Sequence, residues 1–173
     1  MTASTATRNS HATKARRTRR SGRRDPLAVS LLKKDHRDVE EMFDEYEQLD
    51  EEKEKFDLFK KIALALKVHT AIEEEIFYPG ERGEVEDDIL DEAHVEHQSA
   101  KEMIAEIEKM KPGDQYYDAK VKVLGEYIKH HVKEEEQPGG IFAQAKKGEA
   151  DLDEMGKELQ SRKQELMKQL AGH

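Results

Sequence analysis

Apolar residues recur at helical spacing in five stretches of this chain. In the first, Val29, Leu32, His36, Val39, Phe43 and Tyr46 follow one another at three- and four-residue steps, the signature of one buried helix face. Asp25 reads as an N-cap and Pro26 as the first helical residue, so this helix is expected to run to about Gln48. A second, from about Glu54 to Tyr78, turns Ile62, Leu66, Ile76 and Phe77 inward, with Pro79 expected to end it. After a turn rich in glycine and acid, the third spans about Glu86 to Lys111, with Leu90, Ala93, His97, Ala100, Ile104 and Ile107 along one side. Pro112-Gly113 stops it. The fourth starts near Asp114 and sets Val121, Leu124, Ile128, His131 and Glu135 on one face, until Pro138-Gly139-Gly140 breaks it before a short amphipathic segment, IFAQAKK. The fifth, about Asp151 to Leu170, has a narrower apolar edge of Leu152, Met155, Leu159, Leu166 and Leu170 and reads as a packing or dimerising helix.

Four long helices joined by short turns must alternate in direction. The expected fold is all-α: an up-down-up-down four-helix bundle over residues 25–147, followed by an amphipathic C-terminal helix over residues 148–173. Residues 1–24 combine Ser, Thr and Arg with almost no apolar surface, so they are expected to stay disordered.

Each of the four buried stripes carries a histidine at its centre, a position that an unpaired polar ring avoids. In the second helix His69 and Glu73 lie one turn apart on the apolar side, while Glu74 and Glu75 are expected to swing toward solvent. The fourth repeats this spacing with His131 and Glu135, preferred over His130 and Glu134, which share their side with Glu126 and Lys133. His36 and His97 complete the set, and His94 is rotated toward the flank. At about 1.5 Å per residue, the four histidines lie roughly 10 to 16 Å from one end of an alternating bundle, level within about one turn. Burying six polar groups unpaired costs about 1 to 3 kcal/mol each, comparable to the whole stability of a domain. A cation removes the conflict. Imidazole and carboxylate ligation without sulfur suits iron, manganese or zinc, and two carboxylates able to bridge imply two ions a few ångströms apart.

Composition narrows the field further. With no cysteine, thiolate zinc and iron-sulfur sites are excluded. Charged residues make up 40% of the chain and no apolar run approaches membrane length, so a cytoplasmic location, as monomer or homodimer, is expected. Eight of the 30 basic residues precede Asp25 and none of the 39 acidic ones does, which leaves a strongly acidic body behind a cationic arm. Such an arm suits an anionic partner such as nucleic acid, although no aromatic residue interleaves to stack on bases. Its Arg- and Ser-rich, acid-free start also looks superficially like an organellar presequence.

The order His36, His69-x-x-x-Glu73, His97 and His131-x-x-x-Glu135, together with EEEIFYP after the first pair and the EHxxxK context at His97, resembles the hemerythrin-like, HHE cation-binding family over residues 26 to about 147. The resemblance implies two non-heme iron ions joined by an oxo or hydroxo bridge, with Glu73 and Glu135 bridging and His36, His69, His97 and His131 as terminal ligands. It also implies a small ligand, O2, NO or peroxide, and a role in sensing, iron handling or stress defence. Oxygen-carrying members resemble a five-histidine site, with two histidines four apart on the third helix and His-x4-Asp on the fourth. This chain has Ala93 and Lys101 around His97, and Glu135 in place of Asp. Four imidazoles, two bridging carboxylates and an oxo bridge fill about ten of the roughly twelve positions of two octahedra. About two stay open unless His94 or a tyrosine such as Tyr127 fills one, which favours a reactive site over a simple oxygen carrier.

Overall fold

A computed structural model describes residues 24–170. It consists of α1 (Leu27–Tyr46), α2 (Glu52–Ile72), a π-helical turn (Glu73–Phe77), α3 (Tyr78–Glu81), α4 (Asp87–Ile107), α5 (Tyr117–Glu136), α6 (Ile141–Ala145) and α7 (Leu152–Leu170), with no strand among the described residues. The bundle pairs α1 with α2 and α4 with α5, and α7 lies across the outside of α1 and α2. The disorder expected of residues 1–24 falls outside the described residues for all but Arg24.

Helix periodicity translates directly into burial. Val29, Leu32, His36, Val39, Phe43 and Tyr46 are all buried on α1, as are Leu90, Ala93, His97, Ala100, Ile104 and Ile107 on α4. The apolar core nevertheless divides in two. One cluster gathers Leu32, Ile72, Leu90, Ile141 and Phe142, the other Val39, Phe59, Leu66, Ala100 and Ile128. On α1, α2 and α4 the histidine falls where one cluster gives way to the other, and His131 lies at the far end of the α5 residues of the second cluster, so a polar belt crosses the bundle between two apolar halves.

Three local expectations are corrected. Asp25 does not cap α1: its carboxylate pairs with Lys33 and Lys146, and the first amide, Leu27 N–H, donates instead to Asp153 on α7 at 2.8 Å. Pro79 does not end the second helix, because the missing amide falls in the first turn of α3, after the chain has widened into the π-turn. Leu170 is 40% exposed and lies beyond the seat of α7, whose buried residues are Leu152, Gly156, Leu159 and Leu166.

Gly156 sets how closely α7 approaches α1: a Cβ there would lie 2.6 Å from the Ala28 backbone nitrogen and 2.6 Å from Leu27 Cγ. Gly156→Ala gains about 1 kcal/mol of helix propensity but must push two helices apart, an overpacking cost of about 1–3 kcal/mol. The expected net effect is a loss of stability, read as a lower denaturant midpoint; a midpoint at or above that of the parent protein contradicts the close approach.

Candidate metal centre

The belt brings His36, His69, Glu73, His97, His131 and Glu135 together, each at most 5% exposed. The histidines meet as two pairs. His36 Nε2 lies 3.1 Å from His69 Nε2, on α1 and α2, and His97 Nε2 lies 3.2 Å from His131 Nε2, on α4 and α5. Each carboxylate spans both pairs: Glu73 Oε2 is 3.2 Å from His69 Nε2 and 3.3 Å from His97 Nε2, while Glu135 Oε2 is 3.2 Å from His36 Nε2 and 3.8 Å from His131 Nε2. Donor atoms of His36, His69, Glu73 and Glu135 fall within 4.8 Å of one another, as do those of Glu73, His97 and His131. Two neighbouring foci share Glu73.

The opposite edge of every imidazole faces an outer carboxylate. His36 Nδ1 meets Glu136 at 2.8 Å, His97 Nδ1 meets Glu74 at 3.1 Å, and His131 Nδ1 meets Glu96 at 2.7 Å. His69 Nδ1 faces Asp35 more loosely, at 3.6 Å. Every outer acid is the chain neighbour of a belt residue yet serves a histidine on another helix. An Nδ1–H held in this way fixes the ring's tautomer and aims the Nε2 lone pair at the foci. Glu74, expected in solvent, is drawn inward between His97 and Lys101, whereas Glu75 does lie outside, paired with Arg162. Asp35, Glu74, Glu96 and Glu136 were not singled out from sequence, although an acid directly beside His36, Glu73, His97 and Glu135 was the available signal.

Tyr78 is the other unexpected participant. Its hydroxyl donates to Glu135 Oε1 at 2.9 Å and lies 3.3 Å from His97 Nε2. In a regular helix Tyr78 would sit about 140° around the axis from Glu73. The wider π-turn from Glu73 to Phe77 rotates it back over the site, a common use of such turns. Tyr127 and His131 line a small cavity beside the belt, without a hydrogen bond from Tyr127 to the six. His94 is exposed and outside the site, and His130 is 62% exposed, paired with Glu134.

Electrostatics show what the belt requires. Burial opposes charge on His36, but the carboxylates of Glu135 and Glu136 outweigh it and hold its pKa up at about 10. Burial likewise opposes charge on His97, and Glu73 with Glu74 raises it to about 9. Glu135 is pulled below the usual carboxylate range, since the surrounding histidines outweigh its complete burial. Burial and the negative charges of Glu135 and Glu73 hold the Tyr78 hydroxyl protonated. Glu73 Oε1 and Glu135 Oε2 still have no hydrogen-bond partner among the described residues, although both are sealed from solvent. Four imidazole nitrogens and two under-coordinated carboxylates, with no sulfur, fit a pair of cations of the iron, manganese or zinc kind.

A family model described as the Hemerythrin HHE cation binding domain matches residues 27–138. A curated relative, a DNA nickase from Nostoc sp., is 23% identical over 157 residues; the match takes in 90% of this chain but 44% of that protein, so the chain spans less than half of its length. A solved structure of a hemerythrin HHE cation binding domain-containing protein from Mycobacterium kansasii aligns with a TM-score of 0.68 at 20% identity, covering 80% of this chain and 86% of that one. At that identity the likeness concerns fold.

In the metal-free protein, folded-state pKa values of about 10 and 9 lie above the ordinary 6.5 of histidine. Protonated His36 and His97 therefore stabilise the metal-free fold fully below pH 6.5, and this contribution disappears as pH rises toward 9 to 10. A cation must displace those protons, so uptake at neutral pH is expected to release about two per chain, with affinity rising up to that same window. Calorimetry in buffers of different ionisation enthalpy measures the release; uptake without proton release contradicts the assignment of charge.

Proposed function

Because the chain belongs to the hemerythrin HHE cation-binding family, we propose that the buried belt holds two iron ions and that the protein reacts with a small oxidant or diatomic molecule, O2, NO or peroxide. The observation that carries this reading is the pairing of the four Nε2 atoms into two foci joined by Glu73 and Glu135. Bound iron supplies electrons and open coordination positions to a small oxidant. His36, His69, His97 and His131 would hold one ion at each focus, with the two carboxylates between them.

The chain's own groups support this chemistry and restrict it. Outer carboxylates raise the basicity of the imidazoles and suit them to a ferric state. The cavity beside the belt has a volume of only ≈ 10 Å³, about the room one water-sized molecule needs, which favours diatomics or peroxide over larger substrates. Tyr78 Oη keeps its proton at Glu135 Oε1 and can present it to a species held between the foci. The expected result is about two irons per chain with a ferric charge-transfer band that changes on adding peroxide or NO, and whose intensity is lost in His69→Ala and Glu73→Ala. Full stability without metal, together with refusal of iron, contradicts the proposal.

A second reading is favoured by the likeness to a DNA nickase and by the eight basic residues before Asp25: a regulatory module whose arm docks nucleic acid while the bundle responds to iron or oxygen. Phosphate contacts by such an arm release counterions, so binding weakens steeply with salt. Full-length protein is expected to bind DNA at low salt far more strongly than a version beginning at Asp25. Equal binding by the two, or salt-independent binding, removes the arm from any such role.

A further inference from the structure

The four outer carboxylates are not balanced alike. Glu136 is paired with Arg37 at 2.7 Å, Glu74 with Lys101 at 2.6 Å, and Asp35 with Lys163 of α7. Glu96 has no lysine or arginine partner among the described residues. A second acid, Glu134, stands beside it instead, together with His130, and one donor atom from each of the three falls within 4.8 Å of the others. His130 Nε2 lies 3.2 Å from Glu134 Oε1. These are the residues of the alternative His-x-x-x-Glu register on α5, facing outward where His131 and Glu135 face inward.

Glu96 and Glu134 also line a cleft of ≈ 110 Å³ between α4 and α5 that descends to His131 and Glu135. Its floor, Glu135, is 1% exposed and has an oxygen without a hydrogen-bond partner. Glu92 adds a further acid to the wall, and among the described residues no lysine or arginine lines it. The Gly139-Gly140 break forms part of the same lining. A Cβ on Gly140 would lie 2.1 Å from the Glu134 carbonyl oxygen, so a side chain there would displace the end of α5 that carries Glu134 and Glu135.

From this arrangement, the geometry points to a divalent-cation site formed by Glu96, His130 and Glu134, which receives metal at the surface and passes it to the buried belt. The cation takes the place held by Lys or Arg at the other three outer carboxylates. One imidazole and two carboxylates suit a borderline divalent ion such as Fe2+, Mn2+ or Zn2+. Three protein donors with the remaining positions left to water bind weakly enough to release it. Glu96 touches both sites, one oxygen holding His131 Nδ1, and so lies at the boundary between them. The transit role rests on the belt being a metal centre; the existence of the outer site does not.

The test compares the full-length protein with a His130→Ala, Glu134→Gln double variant, both exposed enough to be altered without disturbing the core. Iron-loaded, desalted samples are titrated with Mn2+, and the loss of the free-ion paramagnetic resonance signal counts the ions bound. The parent protein is expected to take up about one Mn2+ per chain that the variant binds about tenfold or more weakly. In stopped-flow mixing of metal-free protein with Fe2+, the variant is expected to fill at least about tenfold more slowly yet retain the same iron after desalting. An unchanged manganese count, or an unchanged filling rate, overturns the proposal. Should neither protein retain iron, the buried centre itself fails, while the manganese titration still decides the outer site.

Discussion

Among the described residues, six carboxylates converge on one level of a helical bundle where three fixed cations answer them. Glu73 and Glu135 lie at the axis, with Asp35, Glu74, Glu96 and Glu136 around them, and Lys163, Lys101 and Arg37 reach only the outer ring. The shortfall sits among side chains at most 5% exposed, where a lone charge is most costly. Protons on His36 and His97 make up part of it without metal, which is why their pKa values stand at about 10 and 9. Cations held at the Nε2 edges, as proposed, would make it up more completely, since the carboxylate oxygens left without a hydrogen bond among the described residues could serve them. On that proposal folding and metal binding are coupled through one electrostatic demand.

That demand organises what surrounds it. The two apolar clusters on either side seal the belt and hold the helices in a register that keeps four histidines level. Each helix lends an acid to a histidine of a neighbour, so the aim of every imidazole depends on correct helix pairing. α7, which lies beyond residues 27–138, takes part in the same network: Gly156 lets it sit close on α1, and Lys163 reaches Asp35 behind His69. It is more than the plain packing helix its apolar edge suggests, because it supplies the cation that pairs with the buried Asp35 beside His69.

The legible part of the sequence was the part that obeys a single period. Stripes at three and four residues located the helices, the centres of those stripes located His36, His69, His97 and His131, and i,i+4 spacing added Glu73 and Glu135. What period alone does not give is contact between helices. Glu74, just past α2, looks solvated because a helical wheel ignores α4, where His97 and Lys101 wait for it. Tyr78 was hidden for a different reason: a π-turn changes the angular step, so a wheel drawn at 100° per residue turns it away from the site it enters. Pro79 misled in the same way, since it sits at the start of a new helical segment and leaves the old one intact.

The break after α5 has a consequence for water exclusion. Past Glu136 the chain leaves the helix, Gln137 being extended. Gly139, with φ of +89°, and Gly140, close against the Glu134 carbonyl, turn the chain back. Ile141 and Phe142 of α6 then fold over the belt, and Phe142 stacks on His36 with centroids 5.7 Å apart while meeting Phe77 edge-on at 5.8 Å. The departure from a straight helix thus places an aromatic cap over one focus and leaves the acidic cleft between α4 and α5 open beside it. A centre closed by apolar groups on one side and approached past carboxylates on the other strengthens every charge interaction inside it and favours the entry of cations over anions.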